Sequence, residues 1–119
     1  MANIGQLGEQ IAADYLKKQG YKILARNFKT KLSELDLVAK KGRVLVFVEV
    51  KAGATNQNFF PEEHFNKAKI KKLKKAIEIY LISEKIKLEK QAIRLDLVAI
   101  ELDNGSLKAL RHYQNIETK

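Results

Sequence analysis

Glu34-Leu35-Asp36-Leu37-Val38-Ala39, then Lys40-Lys41-Gly42-Arg43, then Val44-Leu45-Val46-Phe47-Val48-Glu49-Val50-Lys51 is the stretch from which the fold follows. Two apolar, β-branched runs around a Gly-containing turn predict a β-hairpin. A two-residue type II′ loop wants Gly first, which makes Gly42-Arg43 the loop. Lys41 then faces Val44, Asp36 faces Glu49 and Glu34 faces Lys51. Side chains alternate along a strand, so Glu34, Asp36, Glu49 and Lys51 share one face. Leu45 and Phe47 lie on that face too, while Val44, Val46, Val48 and Val50 fill the other. Apolar on both faces, the second strand belongs inside a sheet. Opposed carboxylates ~5 Å apart at Cβ repel, and need a proton, a cation or a metal between them. A Glu34–Lys51 ion pair with Asp36 and Glu49 at a wet strand end is the plain structural answer. A hard divalent cation such as Mg²⁺, bound through one or two carboxylates with its waters, is the other.

The rest of the composition suits a polyanionic partner. The 119 residues suffice for a single domain spanning 1–119. Apolar residues make up 45% and charged residues 31%, as in a folded globule. Twenty-three Lys and Arg against fourteen Asp and Glu give a net charge of +9, which points to nucleic acid. There is no Cys, so disulfides, thiolate metal sites and a Cys nucleophile are excluded, and a reducing cytoplasm is the expected location. Met1-Ala2-Asn3-Ile4-Gly5 lacks the features of a signal peptide. No apolar run nears the ~20 residues of a membrane span, so no membrane partner is expected.

Around the hairpin the elements follow in order. Asn3 caps a first helix, with Ile4, Leu7, Ile11 and Tyr15 at helical spacing and Gly20 as its C′ residue. Glu9 sits at the edge of that stripe, where an exposed helical Glu is the plain reading. Tyr21 to Phe28 is a strand, with Arg26 and Asn27 near its end. Small and amide residues from Ala52 to Asn58 predict a loop after the hairpin, leading to Phe59 and Phe60 as core or ligand contacts. Pro61-Glu62-Glu63 predicts a helix start, and the second helix is expected from about Pro61 to Ser83. Its apolar stripe holds Phe65, Leu73, Ala76, Ile77 and Tyr80. Lys69 falls inside the stripe and Lys72 at its edge, whereas Lys71, Lys74, Lys75 and Glu78 face solvent. A Lys in an apolar stripe either snorkels to water or is aimed at an anion. His64 is a surface residue or a proton shuttle. Ala92 to Ile100 is a core strand, Asn104-Gly105 a type I′ turn, and Ser106 to His112 the return strand, with no role given to His112. The order is α-β-β-β-α-β-β, a mixed α/β (α+β) sheet flanked by helices.

Asp36 followed by Glu49-Val50-Lys51 resembles the Asp…(Asp/Glu)-x-Lys pattern of the restriction-endonuclease-like nucleases. In that chemistry Asp36, Glu49 and the Val50 backbone carbonyl hold Mg²⁺ or Mn²⁺, and the ion activates water and stabilises charge on a phosphate. Lys51 orients or helps deprotonate the water and neutralises the developing charge. A wider set of residues carries a closer likeness. Gly8-Glu9, Gly20-Tyr21, Arg26-Asn27, Glu34-Leu35-Asp36-Leu37-Val38, Val46 to Lys51, Lys69 with Leu73, Ala76, Tyr80 and Leu81, and Arg94 to Val98 together resemble the YraN-type bacterial proteins. That family is similar in fold to the archaeal Holliday-junction resolvases. The resemblance implies that Glu9 joins Asp36, Glu49 and Lys51 as a catalytic residue. It also raises Glu34, in a supporting role, and Lys69 to candidates, and Lys72 and Arg26 stand with them as candidate nucleic-acid contacts. Two departures stand out: Ser33 where the family usually has Gly, and Ala52-Gly53 where it usually has a basic step.

Three functions are therefore weighed. One is a metal-dependent nuclease hydrolysing phosphodiester bonds in DNA, including branched or structured DNA, with a homodimer as its working form on junctions. The second is a non-catalytic nucleic-acid-binding protein of the same fold. The third is an adaptor whose Glu34–Lys51 pair is purely structural. Carboxylates of Asp36 and Glu49 within ~5 Å, with Lys51 beside them, favour the first, because both then reach one ion.

Overall fold

The computed structural model describes residues 3–55, 62 and 65–116. Asn3 starts helix α1 (Ile4–Lys18) by accepting a hydrogen bond from Gln6 N–H on its side chain. The helix stops at Gln19. Gly20 takes φ +91°, Gly20 N–H donates to the Lys17 carbonyl and Tyr21 N–H to that of Leu16. This is a Schellman closure, and it buries Tyr21 in the same core as Leu16.

Five strands follow: β1 (Lys22–Lys29), β2 (Glu34–Lys41), β3 (Val44–Ala54), β4 (Ala92–Asp103) and β5 (Ser106–Tyr113). They form one sheet in the order β1-β2-β3-β4-β5. Only β3 and β4 run parallel, and helix α2 (Lys67–Ser83) is the crossover that parallel neighbours require. Gly42 has φ +59° and opens the β2–β3 turn, while Asn104 and Gly105 both have positive φ in the β4–β5 turn, as types II′ and I′ demand.

The helices cover opposite faces. Ala12, Ala13 and Leu16 of α1 pack on Leu37, Val46, Val48, Val98 and Ile100. Leu73, Ala76, Ile77 and Tyr80 of α2 pack on Val38, Leu45, Phe47 and Leu95. Covered twice, β3 keeps Leu45 to Val48 at 0–2% exposure. Its apolar run on both faces is what an internal strand requires.

The hairpin register is the expected one, from Lys41 opposite Val44 to Leu37 opposite Val48. The pairing ends there, one step before Asp36 and Glu49. β3 continues along β4 as far as Ala54 opposite Leu102. The sheet is thus forked: β3 stays on β4 and β2 parts from it at the acids.

Several boundaries differ from expectation. Ala52 and Gly53 are not loop but strand, paired with Ile100 and Glu101. The smallness of Ala52 serves packing: a Cβ placed on Gly8 of α1 would lie 2.5 Å from Ala52 Cβ. The second helix begins at Lys67 rather than near Pro61, because the Asn66 side chain accepts from Lys69 N–H and caps it there. Glu62 lies in a separate turn and binds Arg111 and Tyr113. Pro61, Glu63, His64, Phe59 and Phe60 lie outside the described residues. The two strands of the last hairpin run on to Asp103 and Tyr113. Among the described residues no helix is long and apolar enough to cross a membrane.

Candidate active site

Where β2 leaves β3, a cleft of about 500 Å³ opens. Its walls include Glu9 of α1, Glu34 and Asp36 of β2, Glu49, Val50 and Lys51 of β3, and Lys69 and Lys72 of α2. Helices from the two faces of the sheet reach one cleft because no strand pairing separates them there.

Asp36 is at its centre and 9% exposed. Its Oδ2 accepts Val50 N–H at 2.8 Å, a side chain bridging two strands just past their last backbone pair. A strand residue sends its N–H and C=O to the same side. The Val50 carbonyl therefore lies on the side of Asp36. Burial pushes the Asp36 carboxyl up to about 8, and the neighbouring charge of Glu49 adds to that, although the Val50 N–H pulls the other way. Asp36 and Glu49 are thus near enough for the charge of one to act on the other.

Glu49 is 3% exposed and is met by two ammonium groups. Lys69 Nζ lies 3.2 Å and Lys51 Nζ 3.7 Å from its Oε2. Lys69, the basic residue in an apolar stripe, is thus aimed at an anion. Among the described residues the alternative Glu34–Lys51 pair is not formed: Lys51 turns to Glu49, and Glu34 accepts from Asn27.

On the other side of Asp36 stand Glu9 and Glu34. One carboxylate oxygen from each of Glu9, Glu34 and Asp36 lies within 4.8 Å of the others. Two oxygens on an octahedral ion at ~2.1 Å per bond are about 3–4 Å apart, so small side-chain adjustments let this cluster hold a hard cation. The raised Asp36 carboxyl fits the same reading, because a cation beside it would favour its charged form.

Two expected contacts stand apart. Lys72 is exposed on the cleft wall, but Arg26 is not among the residues lining it: its Nη1 donates to Gln10 Oε1 on the outer surface. One residue was missed. Asn27 Nδ2 donates to both Glu9 Oε1 and Glu34 Oε1, each at 2.9 Å. Its signal was an Asn at a strand end, a residue type that tolerates the left-handed backbone found there at φ +54°.

A second polar group, away from the cleft, also escaped the sequence. Asp96 is wholly buried and accepts from Arg94 Nε and Nη2 at 2.8 Å and from Asn115 N–H at 3.0 Å. His112 Nε2 lies 2.7 Å from it, and His112 Nδ1 meets Tyr15 Oη at 2.9 Å. Burial alone would raise the Asp96 carboxyl, but the bonds from His112, Arg94 and Asn115 hold it below its ordinary value. His112, given no role above, belongs to this network, which ties α1, β4 and β5 together. The signal was Arg94-x-Asp96, two charged residues on one face of a core strand.

The α-β-β-β-α-β-β order, with acids and a lysine at the fork of the central strands, defines a restriction-endonuclease-like protein. A family model described as "Uncharacterised protein family UPF0102" matches residues 8–100. The chain is similar to the UPF0102 protein of Kosmotoga olearia, 44% identical over 107 residues, 90% of this chain and 89% of the relative. The UPF0102 protein of Syntrophomonas wolfei is 45% identical over 105 residues, 88% and 90% of the two chains. That of Carboxydothermus hydrogenoformans is 40% identical over 113 residues, covering 95% and 93%. The chain belongs to the UPF0102, or YraN, family.

Proposed function

We propose that this protein is a metal-dependent nuclease that hydrolyses phosphodiester bonds in DNA, branched or otherwise structured DNA included. The observation that carries the reading is the meeting of Asp36, Glu49 and Lys51, with Glu9, in one cleft. Asp36, Glu49 and the Val50 carbonyl would hold Mg²⁺ or Mn²⁺, with Glu9 and Glu34 available to the ion or its waters. When bound, such an ion lowers the pKa of a water and offsets charge on the phosphate. Lys51 is half-buried beside Glu49, where its ammonium can orient a nucleophile and offset charge building on a phosphate oxygen. Lys69 holds Glu49 in place from the opposite helix. Lys72 and the other exposed lysines of α2, with the +9 net charge, attract the polyanion.

The test is incubation with linear, nicked, single-stranded and four-way-junction DNA in Mg²⁺ or Mn²⁺. Cleavage is expected, and is lost in Asp36→Asn and Glu49→Gln. Cleavage unchanged in both variants refutes the assignment. Light scattering of the junction-bound protein tests for a homodimer, the form needed for paired cuts.

One observation favours a second reading, binding without cleavage. Ala52 and Gly53, in place of a basic step, are committed to strand pairing, and Ala52 lies under Gly8 of α1, so no phosphate contact arises from these two side chains. Affinity for DNA or RNA that falls steeply with salt, without cleavage in any metal, is the outcome that selects it.

A further inference from the structure

We propose that Asn27 is the positioning residue that fixes how Glu9 and Glu34 present their carboxylates beside Asp36. The inference deepens the cation-dependent reading of the cleft and rests on it. Glu9 comes from α1, Glu34 from the start of β2 and Asn27 from β1. One side-chain nitrogen ties the three elements together, with a 2.9 Å bond to each carboxylate. An amide nitrogen carries two hydrogens, and these two bonds use both. Each acid keeps its second oxygen for another partner.

The choice of amide is chemically apt. Two carboxylates brought together from separate elements repel, and some donor must offset this. A Lys or Arg would do so by neutralising the charge that a cation needs. Asn orients both acids and leaves their charge intact. Groups that orient metal ligands by hydrogen bonding are worth ~10–100-fold in metal affinity.

The backbone aims the amide. Ala25 and Phe28, three residues apart, pack into the same core, so the alternation of β1 is broken between them. The break is at Asn27, in the left-handed region at φ +54°. Few residues other than Gly accept that conformation, and Asn is among them. Position 27 therefore asks for left-handed tolerance and for a two-hydrogen donor together. Gly meets the first demand and fails the second.

That difference sets the experiment. Mn²⁺ is titrated into the full chain and free Mn²⁺ is read by electron paramagnetic resonance. Asn27→Gly should keep the fold, by circular dichroism, and weaken Mn²⁺ binding ~10-fold or more. In a Glu9→Ala/Glu34→Ala background the same change should alter affinity less than ~2-fold, because nothing is left to position. Equal affinity of wild type and Asn27→Gly overturns the proposal, as does an undiminished effect in the double-Ala background. Absence of Mn²⁺ binding by the wild type would instead overturn the cation reading. The positioning is then read from the Asn27 side-chain NH₂ resonances: both should move in Glu9→Ala and in Glu34→Ala, and resonances unmoved by either refute it.

Discussion

Replacing Asp36 by Asn should make the metal-free protein more stable while abolishing the divalent-cation binding proposed for the cleft. The folded chain holds a proton on Asp36 that the unfolded chain gives up, because burial and Glu49 raise the carboxyl from an ordinary 3.8 to about 8. Stability from this residue is therefore fullest below pH ~4 and falls as pH rises toward ~8. At ~1.4 kcal/mol per pH unit, the span amounts to about 4 kcal/mol at pH 7. Relaxation of the site and entry of water into the cleft reduce this to roughly 2 kcal/mol. Asn is neutral, keeps an oxygen for the Val50 N–H and can donate to Glu49, so the substitution removes the penalty. For a chain of this length that is a melting temperature higher by roughly 6–10 °C. The gain should shrink below ~1 kcal/mol at pH 5, where wild-type Asp36 is protonated at little cost. The assay is thermal melting of both proteins in chelator across pH 5–8. An Asp36→Asn variant that melts at or below wild type at pH 7–8, or a gain that is the same at pH 5, refutes the reasoning.

Other perturbations separate the cleft from the scaffold. Asp96→Ala strands Arg94 and His112 without their buried partner and should cost about 3–5 kcal/mol in urea unfolding, with Mn²⁺ affinity of the surviving folded protein unchanged. Gly8→Ala drives a methyl into Ala52 and should cost about 1–3 kcal/mol; by lifting the first turns of α1 it should also weaken Mn²⁺ binding through Glu9. Lys69→Met keeps a long, half-buried apolar side chain and removes the charge 3.2 Å from Glu49. It should cost about 1 kcal/mol, less than a fully buried pair because Lys51 remains, and chemical denaturation measures it. Lys72→Ala should weaken DNA binding evenly across sequences and lower the slope of log affinity against log salt by about 1, read by titration at several salt concentrations.

Much of this was legible in the chain. The register of β2 and β3 followed from a Gly-led two-residue turn between two apolar runs, since turn type and loop length fix the pairing of a hairpin. Lys69 stood out because helical spacing placed a charge among core residues. The helix start failed because Pro61-Glu62-Glu63 is a strong local signature, whereas Asn66 shows itself as the cap only through its bond to Lys69 N–H. Ala52-Gly53-Ala54 has the composition of a loop, and its strand identity depends on β4 and on α1 lying against it. Asn27 was visible, but its bonds reach 18 and 7 residues along the chain through a kink that local pattern does not encode. The Asp96–His112 pair depends likewise on two strands being neighbours.

The bond from Val50 N–H to Asp36 does more than close the fork. It places one main-chain proton in direct contact with the carboxylate on which the site turns. Anything that draws electron density from that carboxylate, whether a proton or a cation, must alter the same amide. In a ¹⁵N-labelled sample the Val50 cross-peak is thus a gauge built into the backbone, reporting the state of the site without a substrate or an attached probe.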